Sequence, residues 1–289
     1  VTDPHFQTNH HIYVSYVAKG AGGTTTKVIR AQLEQDSLIN IKTLLVALPF
    51  TEGLFHYGGG MTFGPDKKLY VTVGERIFNE SDEPDPPIAQ DIKDRRGKIY
   101  RLNKDGSIPS DNPDFGPDAV PGIYASGIRA AQGITLNSAT GQIWFSEHGT
   151  RQGDEINLLK AGANYGWPII TTGKYRSLDY TPPDTKNTEF TDPRWYWLQT
   201  VAPTGLNFYW GDEFPEWKGN LLVPGLSRGS LWRLRIENDT VKSLEELFVD
   251  ARERARKVIQ SPGGKLYLLT EDLKDRKNGK IIRIKNSAK

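Results

Sequence analysis

Three short segments of this chain read alike. Gly97-Lys98-Ile99-Tyr100-Arg101-Leu102, Gly229-Ser230-Leu231-Trp232-Arg233-Leu234 and Gly279-Lys280-Ile281-Ile282-Arg283-Ile284 all follow Gly-x-[Ile/Leu]-x-Arg-[Leu/Ile]. A second recurrence frames them. Polar turns lead into β-branched or aromatic runs around Ile12, Leu69, Ile143, Leu221 and Leu266, 45 to 78 residues apart. Turn residues followed by such runs are the signature of hairpins and strands. Helical spacing is almost absent, and the one stretch with a case for it, 244–252, reads equally well as strand. Repeated all-β units of this size predict a β-propeller, with an irregular sandwich or a β-helix as alternatives. Five repeats are visible, and the chain enters partway into the first. A sixth would need N-terminal strands that are missing or incomplete before Val1, or a unit made by joining the two chain ends. The polar inserts 78–88 and 171–193 read as surface loops, so residues 1–289 are expected to form a single β-propeller domain.

Composition narrows the function. The 289 residues are 37% hydrophobic, with 7 Trp, enough to build a large core and exclude disorder. A net charge of +2 with no long Lys/Arg run argues against nucleic acid as a partner. The absence of Cys removes disulfides, thiolate nucleophiles and Cys-ligated metals. No run approaches the ~18 apolar residues of a membrane span. The chain opens at Val1-Thr2-Asp3-Pro4-His5 with neither a signal peptide nor an initiator Met, which reads as a processed or trimmed N-terminus.

Four segments carry candidate chemistry. In Leu54-Phe55-His56-Tyr57-Gly58-Gly59-Gly60-Met61, three glycines beside His56 let backbone approach a ligand, and an imidazole accepts protons near neutrality. Arg129, set among small residues in Ser126-Gly127-Ile128-Arg129-Ala130-Ala131-Gln132-Gly133, is placed to reach inward as a fixed cation. The loop Glu147-His148-Gly149-Thr150, with Gly153-Asp154-Glu155 after it, offers carbonyls and carboxylates, the oxygen ligands that Ca²⁺ takes. In 251–259, strand alternation puts Arg252, Arg254 and Arg256 on one face, where they repel unless an anion lies between them. Each has a bland counterpart: a surface His, an Arg over a loop carbonyl, a turn without metal, a solvated edge strand. No Ser-His-Asp spacing, phosphate loop or dinucleotide fingerprint competes with them.

These segments, with Asn164-Tyr165-Gly166-Trp167-Pro168, Thr200-Val201-Ala202-Pro203 and Ser261-Pro262-Gly263-Gly264, resemble the soluble PQQ-dependent aldose sugar dehydrogenases of the glucose/sorbosone dehydrogenase family, in order from about Asp3 to Ile284. The resemblance implies a six-bladed β-propeller that holds pyrroloquinoline quinone (PQQ) and Ca²⁺ in its axial cleft. It implies oxidation of an aldose at C1 to the lactone, with electrons passed to a soluble acceptor other than oxygen. By the same resemblance His56 matches the catalytic base and Arg129 the arginine beside the quinone. His148, Thr200, Arg254 and Arg256 match cofactor contacts, and Gly149 and Thr150 the carbonyls that hold the cofactor's Ca²⁺. Glu155 and Tyr165 fall where a second, structural calcium binds. A periplasmic or secreted location follows from the same analogy.

The chain also departs from the family pattern. Ala130 stands where an asparagine is common, Ser227 where a lysine is common, Gly60 for a frequent arginine and Thr150 for a frequent proline. Losing the Asn and the Lys each costs about 1–3 kcal/mol of cofactor binding, with Arg228 next in line to compensate for Ser227. Two other functions therefore stand beside the enzyme: a cofactor-free binding module of the same lineage, and a calcium-dependent lactonase. The lactonase would need a carboxylate and Asn cage for its metal.

Overall fold

The five turn-and-strand repeats each fall in a separate antiparallel sheet of the computed structural model, which describes residues 1–183, 189–250, 253–272 and 278–286. The first sheet holds His11–Gly20 (β1), Gly23–Glu34 (β2) and Ser37–Val46 (β3). The second holds Gly58–Phe63 (β4), Leu69–Val73 (β5), Lys98–Leu102 (β6) and Ile123–Ala125 (β7). Ala131–Leu136 (β8), Ile143–Glu147 (β9), Asp154–Leu158 (β10) and Trp195–Trp197 (β11) make the third. Asn207–Phe208 (β12), Leu221–Pro224 (β13), Leu231–Glu237 (β14) and Thr240–Leu247 (β15) make the fourth. Arg254–Gln260 (β16), Leu266–Glu271 (β17) and Ile281–Ile284 (β18) complete the set. Within each sheet every strand pairs with its neighbour in the chain. The architecture is thus all-β, a series of up-and-down sheets.

The recurring Gly-x-[Ile/Leu]-x-Arg-[Leu/Ile] motif occupies β6, β14 and β18, and its arginine has a common task. Arg101, Arg233 and Arg283 stand opposite Tyr70, Leu222 and Tyr267 in register, and each reaches a carboxylate. Arg101 binds Asp66 and Asp111 at 2.8 Å, Arg233 binds Glu245 and Arg283 lies 3.6 Å from Glu213. Strands β5, β6 and β9 are buried at every position, so β5 and the start of β9 read as apolar runs rather than alternating ones, while β6 keeps Lys98 and Arg101 by giving each hydrogen-bond partners. The outermost β3 is mostly exposed and β15 half exposed, and both are correspondingly polar.

Of stretch 244–252, residues 244–247 are strand and 248–250 leave the sheet through a turn. Leu244 and Leu247 pair with Leu234 and Leu231 on β14, and ladder pairing overrides their helical spacing; residues 251–252, Arg252 among them, lie outside the described residues. The inserts also differ from free surface loops. Buried Glu80, in a 3₁₀ turn of the first insert, accepts the backbone N–H groups of Arg176 and Ser177 in the second, at 3.0 and 2.8 Å. One carboxylate thereby pins both loops.

The chain falls into two compact units, Val1–Ala131 with Leu159–Thr171 and Tyr175–Asp192, and Gln132–Leu158 with Thr172–Lys174 and Pro193–Lys289. The first is centred on Tyr13, Val28, Leu69, Val71, Val73, Tyr100 and Leu102. In the second, Trp144, Ile156, Trp197, Phe208, Leu221 and Trp232 form one cluster, and Tyr209, Leu222, Val258 and Leu268 anchor another. Trp144 is fully buried, edge-on to Phe208. Trp144→Ala is expected to cost about 3–5 kcal/mol in a urea titration, and a loss under ~1 kcal/mol would show that this cluster is not the core of its unit. Among the described residues no helix is long and apolar enough to cross a membrane.

Candidate functional site

His56 sits two residues before β4 in a left-handed conformation, φ +52°. Its Nδ1 lies 2.9 Å from Oε1 of Glu75, a completely buried carboxyl two residues beyond β5. The second oxygen of Glu75 accepts the Ile77 N–H, and the Glu75 N–H donates to the Arg129 carbonyl at 2.9 Å. Gly74 makes this crossing possible. A Cβ there would fall 2.0 Å from the His56 carbonyl oxygen and 3.1 Å from that of Arg129. The glycines after His56 have a backbone role of their own. They begin β4, where the register with β5 shifts between Gly58 and Met61, and Gly58 and Gly59 take φ +69° and +89°.

Arg129 does reach inward: it is 2% exposed, with its guanidinium 5.0 Å from the centre of the Trp167 ring. Burial holds the His56 imidazole well below its ordinary pKa, and the cations Arg129, Arg176 and Arg76 reinforce the effect. Burial pushes the Glu75 carboxyl up to about 8, against the pull of Arg129, the Ile77 N–H, Arg76 and Arg96. Once Glu75 is ionised, it accepts the Nδ1–H and leaves Nε2 as a bare lone pair. A neutral imidazole held this way is a general base. Phe78 stacks 6.4 Å from the His56 ring and 4.6 Å from Phe55, with the Arg176 guanidinium 3.9 Å from its centre.

In the other unit, four chain segments bring the expected cofactor residues together. Buried Asp154 is the knot: it accepts the N–H of Gly149 through one oxygen and those of Val201 and Ala202 through the other. Around it, His148 Nε2 meets the Pro203 carbonyl at 2.9 Å and the Thr200 hydroxyl donates to the Arg151 carbonyl. The Thr150 hydroxyl donates to the Lys174 carbonyl. Ser227 and Leu226 donate their N–H groups to Val201 and Ala202, and Ala255 donates to Gly225. Arg254 reaches the Leu226 carbonyl, and Arg228 pairs with Glu246 at 2.8 Å. His148, Gly149, Thr150, Thr200, Arg228, Arg254 and Arg256 thus lie on adjoining strands and turns. The anion between Arg254 and Arg256 is the chain's own Glu271, one oxygen to each, at 2.9 and 2.6 Å. Two guanidinium groups on one carboxylate leave a net positive charge, which suits a polyanionic guest better than a neutral one.

The two residues expected at a structural calcium have protein partners. Glu155 accepts the Thr172 hydroxyl at 2.8 Å and the Asn157 amide at 3.2 Å. Tyr165, in the other unit, receives the Lys160 N–H on its phenol oxygen. Among the described residues no group of three or more His, Asp or Glu side chains forms a metal cage. A calcium here would rest on backbone carbonyls such as those of Gly149 and Thr150. Next to Thr200, residues Pro193–Gln199 line a cavity of about 570 Å³ walled by Trp195, Tyr196 and Trp197.

Sequence reasoning passed over Glu75, Arg76 and Glu271, and read Asp154 only as a candidate oxygen ligand. For Glu75 a signal was there, an acid directly behind the apolar run Leu69-Tyr70-Val71-Thr72-Val73. Asp154 lay inside a quoted motif. Glu271 ends an ordinary strand and carries no local mark.

A model of the Glucose / Sorbosone dehydrogenase family matches residues 1–283. The aldose sugar dehydrogenase YliI of Escherichia coli (strain K12) is 32% identical over 98% of this chain and 75% of its own length. A crystal structure of glucose dehydrogenase superposes with a TM-score of 0.90 at 32% identity, over 99% of this chain and 82% of that one. The PQQ-bound aldose sugar dehydrogenase of Streptomyces coelicolor gives a TM-score of 0.76 at 25% identity, over 98% and 78%.

Proposed function

Because the chain belongs to the glucose/sorbosone dehydrogenase family, we propose that it is a PQQ- and Ca²⁺-dependent quinoprotein that oxidises aldose sugars at C1 to the lactone. In this reading the five sheets are blades of one six-bladed β-propeller, electrons pass to a soluble acceptor other than oxygen, and the protein works in the periplasm or outside the cell. The observation that carries it is the neutral His56 imidazole on buried Glu75, with Arg129 sharing the same crossing.

The donor set suits PQQ, whose three carboxylates call for fixed cations. Arg254 and Arg256 would hold one end, with Arg228, Thr200 and His148 on the adjoining segments. When bound, PQQ supplies a quinone carbon that takes a hydride, and Ca²⁺ on the Gly149 and Thr150 carbonyls would polarise its carbonyl. The chain does the rest. His56 Nε2 takes the proton of the sugar C1 hydroxyl, and Glu75 steadies the imidazolium that results. Arg129, buried and fixed over Trp167, stabilises negative charge that develops in the site. The cavity beside Thr200 offers the aromatic rings of Trp195 and Tyr196 to the C–H face of a sugar ring.

The deciding experiment is reconstitution with PQQ and Ca²⁺ followed by sugar-dependent dye reduction. PQQ binding without turnover on any aldose would sink the enzyme. The buried side chain of Ala130 carries no polar atom where the family commonly has asparagine, and that favours the second reading, a cofactor-free binding module. It predicts no PQQ binding at all. Lactone hydrolysis without PQQ would favour the lactonase, although among the described residues no three His, Asp or Glu side chains group to hold its metal. Within the enzyme reading, Arg256→Met is expected to weaken PQQ binding about ten- to a hundredfold in an absorbance titration, since it removes a charge-assisted contact. An unchanged titration would remove Arg256 from the cofactor site.

A further inference from the structure

We propose that Arg76 is a positioning residue whose guanidinium braces the residues on either side of His56. The proposal rests on the dehydrogenase reading for its catalytic meaning and on geometry alone for its structural content. Arg76 follows Glu75 directly, is 6% exposed, and holds φ +76°, a region that non-glycine residues rarely adopt. Its Nη1 donates to the Phe55 carbonyl. Its Nη2 donates to the Gly53 carbonyl at 2.9 Å and to the Thr24 hydroxyl at 3.2 Å. The guanidinium carbon stands 3.6 Å from the centre of the Tyr57 ring. Thr24 and Tyr57 close the circuit, their hydroxyls 2.8 Å apart, and the Tyr57 hydroxyl also reaches the Gly53 carbonyl at 3.3 Å.

Arg76 therefore grips the residue before His56 by its carbonyl and the residue after it by its ring. Glu75 holds the imidazole itself. Two consecutive residues divide the task, one setting the ring and the other setting the turn that carries it. Only a planar fork serves both a pair of carbonyls and an aromatic face; an ammonium group brings the charge without that geometry. The left-handed conformation at His56 supplies the reason for a brace, since an unsupported turn would relax away from it. Arg76 also adds to the positive surroundings, with Arg129 and Arg176, that keep His56 neutral.

The test compares Arg76→Lys, Arg76→Met and the milder Thr24→Val. The apoprotein, labelled on its histidine rings, is followed by NMR, with His56→Asn identifying the His56 resonances, and turnover is measured on the PQQ- and Ca²⁺-loaded protein. Both Arg76 variants are expected to move the His56 ring resonances and to lower kcat about 10- to 100-fold, as a small misplacement of a catalytic group does, with KM within about threefold. Arg76→Lys should fall nearly as far as Arg76→Met. Thr24→Val should move the same resonances less, and it decides the question if the Arg76 variants do not fold. Unmoved His56 resonances in every folded variant, or an Arg76→Lys variant with parental kcat, would overturn the proposal. Absence of turnover in the parent protein would count against the dehydrogenase reading only, because the ring resonances report on Arg76 without cofactor.

Discussion

His56→Asn is expected to lower sugar-dependent dye reduction by about 10²–10⁴-fold, the usual contribution of a positioned general base, while PQQ binding stays unchanged. Asparagine is the substitution of choice because position 56 is left-handed, which Asn tolerates and most residues do not. A carboxamide in that turn cannot take the C1 hydroxyl proton. The cofactor contacts lie on other segments, so binding and turnover should separate cleanly. Turnover within tenfold of the parent would show that the proton goes elsewhere.

Glu75→Gln is expected to be nearly as severe, with a loss of about 10²–10⁴-fold, because the orienting acid decides which ring nitrogen carries the proton. The pH profile gives the sharper readout. The Glu75 carboxyl sits at about 8, held up by burial. Below that pH it keeps its proton, donates O–H to Nδ1, and drives the ring proton onto Nε2, where no lone pair is left for substrate. Above it the carboxylate accepts the Nδ1–H and frees Nε2. Turnover of the parent should therefore climb with pH through about 7–9, close to tenfold per unit on the acid side, and then level off. The charged groups that set this midpoint are Arg129, Arg76 and Arg96 around Glu75, and Arg176 beside His56. In Glu75→Gln the climb should vanish, since no ionisable acid remains. A variant that keeps the same acid limb would assign it to another group.

Periodic features of the fold were readable because each repeat pays the same physical debts. Leu69, Ile143 and Leu221 open strands buried on both faces, and burial of that kind leaves uninterrupted apolar runs behind a polar turn. The arginine of the repeated motif was visible for a related reason: Arg101 and its counterparts occupy one register position and need an acid within reach. Residues 244–247 were ambiguous because an outer strand, buried at a single position, carries little periodic signal.

The site was legible where chemistry is unusual and illegible where it is relational. His56 beside three glycines and Arg129 among small residues stand out as residue types. Glu271 does not, since its meaning lies in two arginines on a neighbouring strand. Three arginines in alternation suggested an absent anion, and for Arg254 and Arg256 the chain supplies one itself. Asp154 is similar, a carboxylate whose three N–H partners come from residues 149, 201 and 202. Sequence shows what a side chain can do, and only folding shows whom it does it to.

Gly74 has no functional group, makes no contact with sugar or cofactor in any role given above, and yet tolerates nothing. Any library that varies this position should return almost no active members, alanine included, while its chemically richer neighbours leave graded survivors. The most demanding address in this region is reserved for a single hydrogen atom, because two peptide carbonyls already occupy the room that one methyl would require.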